Sequence, residues 1–419
     1  MRVLIVGQGG REHALAWALA KSPRLTGLYC APGNPGIAQV ARCVRIGLGG
    51  GSELAEWALA NRIDLTVVGP EAPLVTGIAD EFAARGLPLV GPSRKAAEIE
   101  GSKVFAKELM RRWGIPTAEY EVFTDPGEAL AYVRSRDMPV VIKADGLAGG
   151  KGVTVARRVE EAEEAVRALM GERVFGEAGR RIVVEEFLPG REVSVLALTD
   201  GRTVLPMAPA RDHKRLEDGD QGPNTGGMGA FSPVPDVGPD CLDRIENEIL
   251  RPVVRALEQE GRPYTGILYA GLMLTPDGPK VVEFNCRMGD PEAQSILPRL
   301  ESDLLEALEA LARRRLDEVT LKWRPEAAVT VVLASEGYPG AAATGRPIRG
   351  LKEAQAEGAL IFHSGTREEA GQLVTAGGRV LAVTALGETL AAARDQAYRA
   401  AARIRFAGMR YRRDIASHA

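Results

Sequence analysis

The segment PVVIKADGLAGGKGVTVA (139–156) places a glycine-rich loop that ends in Gly-Lys between two apolar runs typical of strands. A loop of this kind can surround phosphate oxygens with backbone N–H groups while a lysine neutralises their charge. The P-loop pattern fails, because Asp145 replaces its first glycine and Gly152 replaces its Ser or Thr. The segment therefore predicts a hairpin-like connection that is either an ordinary turn or a phosphate-binding loop of another geometry.

On both sides of this hairpin, strand-like runs alternate with helical patterns, as they do in α/β proteins. The helical pattern SKVFAKELMRRWG (102–114) opens a strand-rich second unit, and SEGYPGAAATGRP (335–347) accompanies a small last unit. The first hundred residues predict one open parallel sheet, from the runs VLIVG (3–7), DLTVVG (64–69) and LPLVG (87–91).

The composition is that of a globular chain without a strong charge. The 419 residues are 45% hydrophobic and carry a net charge of −3, which gives no overall field toward nucleic acid or anionic membranes. The start lacks the order of a signal peptide, no run approaches 18 uninterrupted apolar residues, and the four cysteines form no CxxC pair. We expect a cytoplasmic protein, a monomer or weak homodimer, without nucleic-acid or membrane partners.

The loop GQGGRE (7–12) lies between the first strand and a helix, where backbone N–H groups and the helix dipole favour an anion. As a dinucleotide fingerprint it is incomplete, since Glu12 replaces the third glycine and no acid follows the second strand. A smaller ligand such as a sugar phosphate fits better than NAD. A tight turn that needs glycine only for packing is the alternative.

A second pattern, VVEEFLPGREVSV (183–195), ends an apolar strand with two acids and then turns at Pro-Gly. Exposed main-chain groups at such an edge can hydrogen-bond a purine, and Glu192 can accept ribose hydroxyls. Simple solvation of the strand end explains the same residues equally well.

The third pattern, KVVEFNCRMGDPE (280–292), indicates a metal site. Glu283 and Asn285 stand at i and i+2 of a strand, so both side chains project to one face. Their oxygens suit magnesium, which usually completes its shell with substrate phosphates. Apolar neighbours argue against the alternative, a solvent-facing strand. Arg287 and Asp290 follow in a turn that could orient an anionic substrate and an amine.

The order of these motifs along nearly the whole chain resembles the phosphoribosylamine–glycine ligase family of the ATP-grasp superfamily. The departures at Gln8, Gly149 and Met288 remove no charged group. The motifs that carry the resemblance are GQGGREHAL (7–15), VGPEAPLV (68–75), GSK (101–103), IKADGLAGGKGV (142–153), EEFLPGREVS (185–194), DHKR (212–215), GPNTGGMGAFSP (222–233) and EFNCRMGDPE (283–292).

The resemblance implies a multidomain protein of α/β and α+β type. Residues 1–100 would form an open parallel-sheet, Rossmann-like substrate domain. Residues 101–325 would form the ATP-grasp lobes, with a mobile lid at about 118–188. Residues 326–419 would form a small α/β C-terminal domain.

By the same resemblance, ATP is a substrate that lies between the two lobes. Lys143 would contact the α-phosphate, the loop 146–152 would cover the other phosphates, and Glu283 and Asn285 would hold Mg²⁺ or Mn²⁺. The full set assigned to the nucleotide is Lys103, Lys143, Gly149, Gly150, Lys151, Gly152, Glu185, Glu186, Leu188 and Glu192.

The implied reaction joins glycine to 5-phosphoribosylamine through a glycyl phosphate and consumes ATP. Arg287, Asp212, Lys214 and Asp290 are the implied catalytic group. Substrate contacts are assigned to these four and to Gly9, Gly10, Glu71 and Gly289. Another ATP-grasp ligase, such as a carboxylase, would share the lobes but not the substrate motifs, and a nicotinamide-dependent dehydrogenase would need the missing acid.

Overall fold

The computed structural model describes residues 1–147 and 152–417 of the chain. The first hundred residues form a five-stranded parallel sheet in the order β3-β2-β1-β4-β5, which confirms the predicted open sheet. Its elements are β1 Arg2–Gly7, α1 Gly10–Leu19, β2 Gly27–Pro32, β3 Arg42–Cys43, α2 Gly51–Ala60, β4 Leu65–Val68, α3 Glu71–Thr76, α4 Ile78–Ala83, β5 Leu89–Val90 and α5 Arg94–Gly101.

The next unit is a four-stranded antiparallel sheet with two helices on it, and its buried residues between 129 and 184 form an apolar cluster of their own. Its elements, with the helix α6 that leads into it, are α6 Lys103–Trp113, β6 Tyr120–Phe123, α7 Pro126–Arg134, β7 Val140–Ala144, β8 Val153–Ala156, α8 Val159–Val166 and β9 Ile182–Glu186.

The glycine-rich loop joins β7 and β8, which pair antiparallel from Val140 with Ala156 to Lys143 with Val153. The predicted hairpin-like connection is therefore confirmed, and the P-loop geometry, which needs a helix after the loop, is excluded by the strand that follows. Strand β9 pairs on the other side of β7 and carries Glu185 beside Val141.

A second four-stranded sheet follows in the order β11-β10-β16-β17, and a small hairpin projects beside it. Glu283 lies opposite Gly271, and Asn285 lies opposite Tyr269, in the pair β16 and β17. The elements are β10 Arg191–Thr199, β11 Val204–Pro206, β12 Arg211–Asp212, β13 Arg215–Glu217, β14 Gln221–Asn224, β15 Gly229–Ser232, α9 Pro239–Ile245, α10 Arg251–Gln259, β16 Gly266–Thr275, β17 Gly278–Asn285, α11 Glu292–Ile296 and α12 Leu304–Ala312.

The last sheet has the order β12-β15-β18-β22-β19, so the strands after residue 326 continue into two strands from 211–232. This joins the C-terminal part directly to the segment that carries Asp212. The remaining elements are β18 Ala327–Ala334, α13 Leu351–Ala356, β19 Leu360–His363, β20 Thr366–Glu369, β21 Gln372–Thr375, β22 Arg379–Gly387 and α14 Leu390–Ala401. Among the helices of the two described ranges, none combines the length and the apolar character that crossing a membrane requires.

Candidate active site

The predicted oxygen pair lies at the end of β17. The Glu283 carboxylate is about one-third exposed (34%), and Asn285 Oδ1 accepts a hydrogen bond from Arg287 at 3.1 Å. Burial opposes the charge of Glu283, but three lysines (Lys214, Lys143 and Lys103) outweigh it and hold the pKa of this carboxyl below its usual range. Both side chains therefore present oxygen atoms, one of them charged, to a cationic cleft.

Those lysines come from separate elements. Lys103 begins α6 and donates to the carbonyl of Gly146 at 3.1 Å, at the start of the glycine-rich loop. Lys143 on β7 is buried and donates to the carbonyl of Val282 at 3.0 Å, next to Glu283. The structure thus brings two of the three lysines predicted for the phosphates, Lys103 and Lys143, to the predicted metal pair.

The carboxylate of Glu185 lies inside this cluster and not at a free edge. Lys143 Nζ is 2.9 Å from both of its oxygens, although only Oε2 receives an aligned hydrogen bond. Lys107 Nζ approaches the same Oε2 at 3.0 Å. Because its side chain is engaged by two lysines, Glu185 leaves only backbone groups to contact a purine.

Three further residues predicted for the nucleotide follow Glu185 in the segment 183–195. Glu186 Oε1 accepts from the backbone N–H of Glu119 at 3.0 Å, and Leu188 is buried. Glu192 is partly exposed, and its carboxylate is 2.8 Å from Lys214 Nζ. The side chain of Glu192 therefore faces the cleft, whereas that of Glu186 is used to hold the neighbouring strand.

The glycine-rich loop is anchored where it begins. Asp145 Oδ1 accepts from the Ser102 hydroxyl and from the Val104 N–H, both at 2.8 Å, and its other oxygen pairs with Arg181. This ties the loop to the N-terminus of α6. A cavity of about 770 Å³ lies beside this anchor and is lined by Gly146 and Arg181, among others.

Four residues of the glycine-rich loop were predicted to contact phosphates, and the structure describes only the last of them. Gly149, Gly150 and Lys151 lie outside the described residues. The carbonyl of Gly152 accepts from Ala144 N–H at 2.9 Å and continues the β7–β8 pairing.

On the substrate side, Asp212 and Lys214 leave the end of β12. Lys214 Nζ lies 2.8 Å from Glu192 and 3.8 Å from Glu283. Burial raises the pKa of Asp212, Lys214 counters this, and the carboxylate of Glu292 adds to the rise. Asp212 is thus a carboxyl group poised to hold or accept a proton.

Arg287 links the first domain to β17. Its guanidinium donates to Glu100 at 2.7 Å and to Glu71 at 3.2 Å. Burial disfavours the charge of Arg287, but the two carboxylates raise its pKa, so it is a permanent cation. Glu71, predicted from VGPEAPLV, is about 29% exposed beside it and faces the same cleft.

The turn after Arg287 is held from several directions. Asp290 Oδ1 accepts from Gln294 at 2.8 Å, and Arg379 of β22 donates to the Asp290 carbonyl at 2.6 Å and to that of Gly226 at 2.5 Å. Gly289 packs against the carboxylate of Glu292, where a side chain would collide. The C-terminal part therefore helps to position Asp290.

The N-terminal loop departs from what its glycines suggest. The N–H groups of Gln8 and Gly9 donate to Glu12 Oε2 at 3.1 and 2.5 Å. A side chain on Gly10 would approach Gln294 and Ser364 at 2.5 and 2.6 Å. The loop is close to Asp290, but its anion position is taken by Glu12, which is why no dinucleotide could bind there in the usual way.

Several residues that touch these groups escaped the sequence analysis. Lys107 and Glu100 lie on buried helix faces, and the only sequence feature that could have pointed to them is a charged residue at an otherwise apolar position. Arg379 begins β22, and Glu292 is the last residue of the motif EFNCRMGDPE (283–292). Only their neighbours in space give them a role, and those neighbours are distant in sequence.

The residues present fit a magnesium ion bound together with a phosphate substrate. Across residues 1–147 and 152–417, no three His, Cys, Asp or Glu side chains converge in a way that could hold a metal. Magnesium is commonly bound by one or two protein oxygens and completes its shell with water and phosphate oxygens. Glu283 and Asn285 match that smaller donor set.

Comparison with known proteins identifies the family of this chain. The phosphoribosylglycinamide synthetase models match in sequence order, the N domain over residues 1–100, the ATP-grasp (A) domain over 101–293 and the C domain over 328–418. The phosphoribosylamine–glycine ligase of Pseudomonas aeruginosa is 53% identical over 418 residues, which are 99% of this chain and 97% of that protein.

Solved structures give the same result. The crystal structure of phosphoribosylamine–glycine ligase from Thermotoga maritima has a TM-score of 0.87 and 38% identity, and covers 99% of this chain and 100% of its own. The biotin carboxylase domain of Hydrogenobacter thermophilus 2-oxoglutarate carboxylase, crystallised with magnesium ADP, shares the fold at 16% identity, with a TM-score of 0.72 over 98% of this chain and 91% of its own. The resemblance drawn from the motifs is confirmed: this chain belongs to the phosphoribosylglycinamide synthetase family, within the ATP-grasp fold.

Proposed function

We propose that this protein ligates glycine to 5-phosphoribosylamine at the expense of ATP, giving glycinamide ribonucleotide, ADP and phosphate in purine biosynthesis. The observation that carries the proposal is the position of Lys214. Its ammonium group lies between Glu192 on the nucleotide side and Glu283 on the metal side, two residues from the half-buried Asp212. One lysine thus joins the candidate sites for both halves of the reaction, and the names of the relatives supply the substrates.

In the first step, a carboxylate oxygen of glycine attacks the γ-phosphorus of ATP. The bond from that phosphorus to the β-phosphate oxygen breaks, so ADP leaves and glycyl phosphate forms. Lys103 and Lys143 would neutralise phosphate charge, and Arg287 would hold the glycine carboxylate or the moving phosphoryl group. Such reactions depend on positioning and charge stabilisation, and no protein nucleophile is needed.

In the second step, the amine of phosphoribosylamine attacks the acyl carbon, and the bond from that carbon to the phosphate oxygen breaks. Phosphate leaves with the electron pair, and the attacking nitrogen loses a proton. Asp212 is the candidate acceptor of that proton, because burial and the Glu292 charge raise its pKa. Lys214 and Asp290, with Gly289 and Glu71, would orient the two substrates, and Gly9 and Gly10 would contribute to the wall of the site.

Glu283 and Asn285 would hold magnesium, or manganese, and this cation supplies charge neutralisation to the β- and γ-phosphates when it is bound. The residues around it would keep water from the acyl phosphate, which is a reason for a lid. We also infer three units, 1–100, 101–325 and 326–419, with 118–188 as the lid. The separate apolar cluster between residues 129 and 184 supports that assignment of the lid.

The test is ADP release from ATP and magnesium with glycine and phosphoribosylamine omitted in turn. We expect release to need glycine and to reach full turnover only with both substrates, with one glycinamide ribonucleotide formed per ADP. Release that is driven by bicarbonate, or that is indifferent to phosphoribosylamine and yields no ribonucleotide, would support another ATP-grasp ligase instead.

A further inference from the structure

Lys107 is a buried lysine that none of the nucleotide or substrate assignments uses. It lies one helical turn after Lys103 on the same face of α6, and only 2% of the residue is exposed. A lysine is almost never buried without a partner, because its charge loses the solvation of water. Its position therefore calls for a specific role.

The ammonium group of Lys107 is fully occupied by the protein. It approaches Glu185 Oε2 at 3.0 Å, and donates to the Thr117 hydroxyl at 2.8 Å and to the Ala118 carbonyl at 3.4 Å. An ammonium group has three N–H donors. Lys107 therefore has none left for a ligand, and any effect on a substrate must act through a neighbour.

That neighbour is Lys143, which approaches the same carboxylate. Its Nζ donates to Glu185 at 2.9 Å and to the Val282 carbonyl at 3.0 Å. Within the part of the chain that the structure describes, these contacts occupy two of its three donors. Nζ is also 2.9 Å from Glu185 Oε1, but without hydrogen-bond alignment. Among the described residues the third donor of Lys143 therefore has no aligned acceptor and can turn to an incoming group.

The charge of the trio favours an anion as that group. Lys107 and Lys143 carry two positive charges against the single negative charge of Glu185, and all three are at least 96% buried because none is more than 4% exposed. Part of the excess charge faces the carboxylates of Glu283 and Glu186, which lie outside the trio. A buried charge that is only partly compensated is costly, so a phosphate oxygen that reaches Lys143 would be stabilised. Without Lys107, Glu185 and Lys143 would instead form a neutral pair.

We propose that Lys107 is a positioning residue of the nucleotide site, which shares Glu185 with Lys143 and thereby keeps Lys143 available to a nucleotide phosphate. This inference rests on the proposed function, since it assumes that Lys143 contacts ATP. Lys107 itself touches no substrate.

The first experiment measures equilibrium binding of ATP with magnesium, without glycine or phosphoribosylamine, to Lys107→Met. We expect the dissociation constant to rise about tenfold, within the range of coupling energies between neighbouring residues, while the KM values for the other substrates stay close to those of the unchanged protein. Lys107→Arg should recover most of the affinity. Lys352→Met, at an exposed lysine on α13, is the matched control.

A purely structural role for Lys107 would also weaken the protein, so the decisive readout is a double-mutant cycle with Glu185→Gln. If Lys107 acts through Glu185, removal of Lys107 should change ATP binding by less than about twofold once Glu185 is neutral. An equal factor in both backgrounds, or an unchanged dissociation constant in Lys107→Met, overturns the inference. Thermal unfolding of each variant checks that it is folded.

The pH dependence gives an independent readout. Burial lowers the pKa of Lys107 to about 8, although Glu185 opposes this. The other groups that face it are Glu186 on β9, Lys143 on β7 and the ring of Tyr120 on β6, 5.6 Å away. Loss of its proton gives the same neutral site as Lys107→Met, so the difference in ATP affinity between the two proteins should shrink as the pH rises through about 8. A difference that is constant across this range contradicts the inference.

Lys143→Met separates the failure of this inference from the failure of the proposed function. If that variant binds ATP normally, the nucleotide role of Lys143 is wrong and the proposed site falls with it. If Lys143→Met binds weakly while Lys107→Met binds normally, only the positioning role is wrong.

Discussion

The N-terminal glycine loop and the buried lysine cluster differ in what they offer to an anion. In the loop GQGGRE (7–12), the backbone N–H groups of Gln8 and Gly9 are occupied by the carboxylate of Glu12. In the cluster, Lys107 and Lys143 share one carboxylate and keep a net positive charge. The charge that is left after folding, more than the glycine content, marks the place where an anion can bind.

Two glycines of the first domain make room for the Glu12 side chain. Gly7 and Gly69 both pack directly against the Glu12 side chain, where a β-carbon would collide, and Gly7 has a φ of +139°. These glycines make room for a buried carboxylate from the protein itself. They do not make room for a dinucleotide phosphate.

The largest loss of activity is expected for Glu283→Gln in the lysine-lined site. This substitution removes the charged oxygen of the Glu283–Asn285 pair on β17. We expect turnover to fall about a hundredfold or more, because magnesium then lacks its only charged protein donor in this pair. The measurement is kcat against magnesium concentration. Glu248→Gln is the control, because Glu248 lies between α9 and α10 and its side chain is 41% exposed. An unchanged magnesium dependence in Glu283→Gln would show that Glu283 does not bind the metal.

In the N-terminal loop, where Glu12 already occupies the backbone N–H groups, Glu12→Gln should destabilise the first domain without changing the affinity for ATP. Glu12 accepts two backbone N–H groups and pairs with Arg11 at 2.6 Å, so we expect a loss of about 1–3 kcal/mol in the free energy of unfolding. Denaturant unfolding and ATP binding are the two measurements.

The matched control is Glu53→Gln. Glu53 also stands in the first turn of a helix that follows a glycine, but its side chain is exposed. If the two substitutions cost the same, Glu12 does not serve as the internal anion of the loop. If Glu12→Gln weakens ATP binding as strongly as Lys143→Met, the contrast between the two regions is wrong.

Acid should weaken the contact between the first and last parts of the chain. Burial lowers the pKa of His13 to about 3 and that of His363 to about 4. The backbone N–H of His363 donates to His13 Nδ1 at 2.8 Å. The unfolded chain binds these protons near pH 6.5 but the folded chain does not, so stability is complete above that pH and falls toward the folded values. The slope should reach about 1.4 kcal/mol per pH unit for each imidazole.

His13→Asn tests this dependence, since it keeps an acceptor for the His363 N–H but does not titrate. We expect the acid limb of the stability curve between about pH 6.5 and 4 to become shallower. Urea unfolding at a series of pH values measures it. A limb of unchanged slope would show that other groups cause the acid sensitivity.

The smallest effect is expected at an exposed ion pair, which sharpens the contrast with the buried trio. Arg134 pairs with Glu163 at 2.6 Å between α7 and α8, and its side chain is 55% exposed. Glu163 also accepts a hydrogen bond from Arg167, so the substitution leaves this carboxylate with a partner. Arg134→Ala should change the melting temperature by no more than about 1 °C, because water and salt screen such pairs. A large loss would mean that the pair holds the unit together.

The fold was largely predictable because its signals are local. The apolar runs of the first hundred residues specify a parallel sheet, and the apolar strands around the glycine-rich loop specify a hairpin. The pairing of β18 and β22 with β15, from residues far earlier in the chain, was not predictable. A short strand carries no sequence signal that identifies its partner sheet.

The candidate site also combines features that the sequence predicted with features that it did not. Glu283 and Asn285 are two residues apart on one strand, so their common face followed from strand geometry. The pairing of Glu185 with Lys107 and Lys143 did not, because residues from α6, β7 and β9 meet only after these elements pack together. Sequence reasoning left open whether the acids of this strand end are solvated or lie beside a purine, and neither alternative places Glu185 between two buried lysines.

By itself, the sequence determined the alternation of strands and helices, the hairpin that carries the glycine-rich loop, and the oxygen pair on one strand. These depend on neighbours within a few residues. Only the tertiary structure decided that Glu12 fills its own loop, that two lysines share Glu185, and that Arg379 reaches Asp290 from the C-terminal part. The physical reason is that charge balance is a property of groups brought together in space, where burial makes each unpaired charge costly.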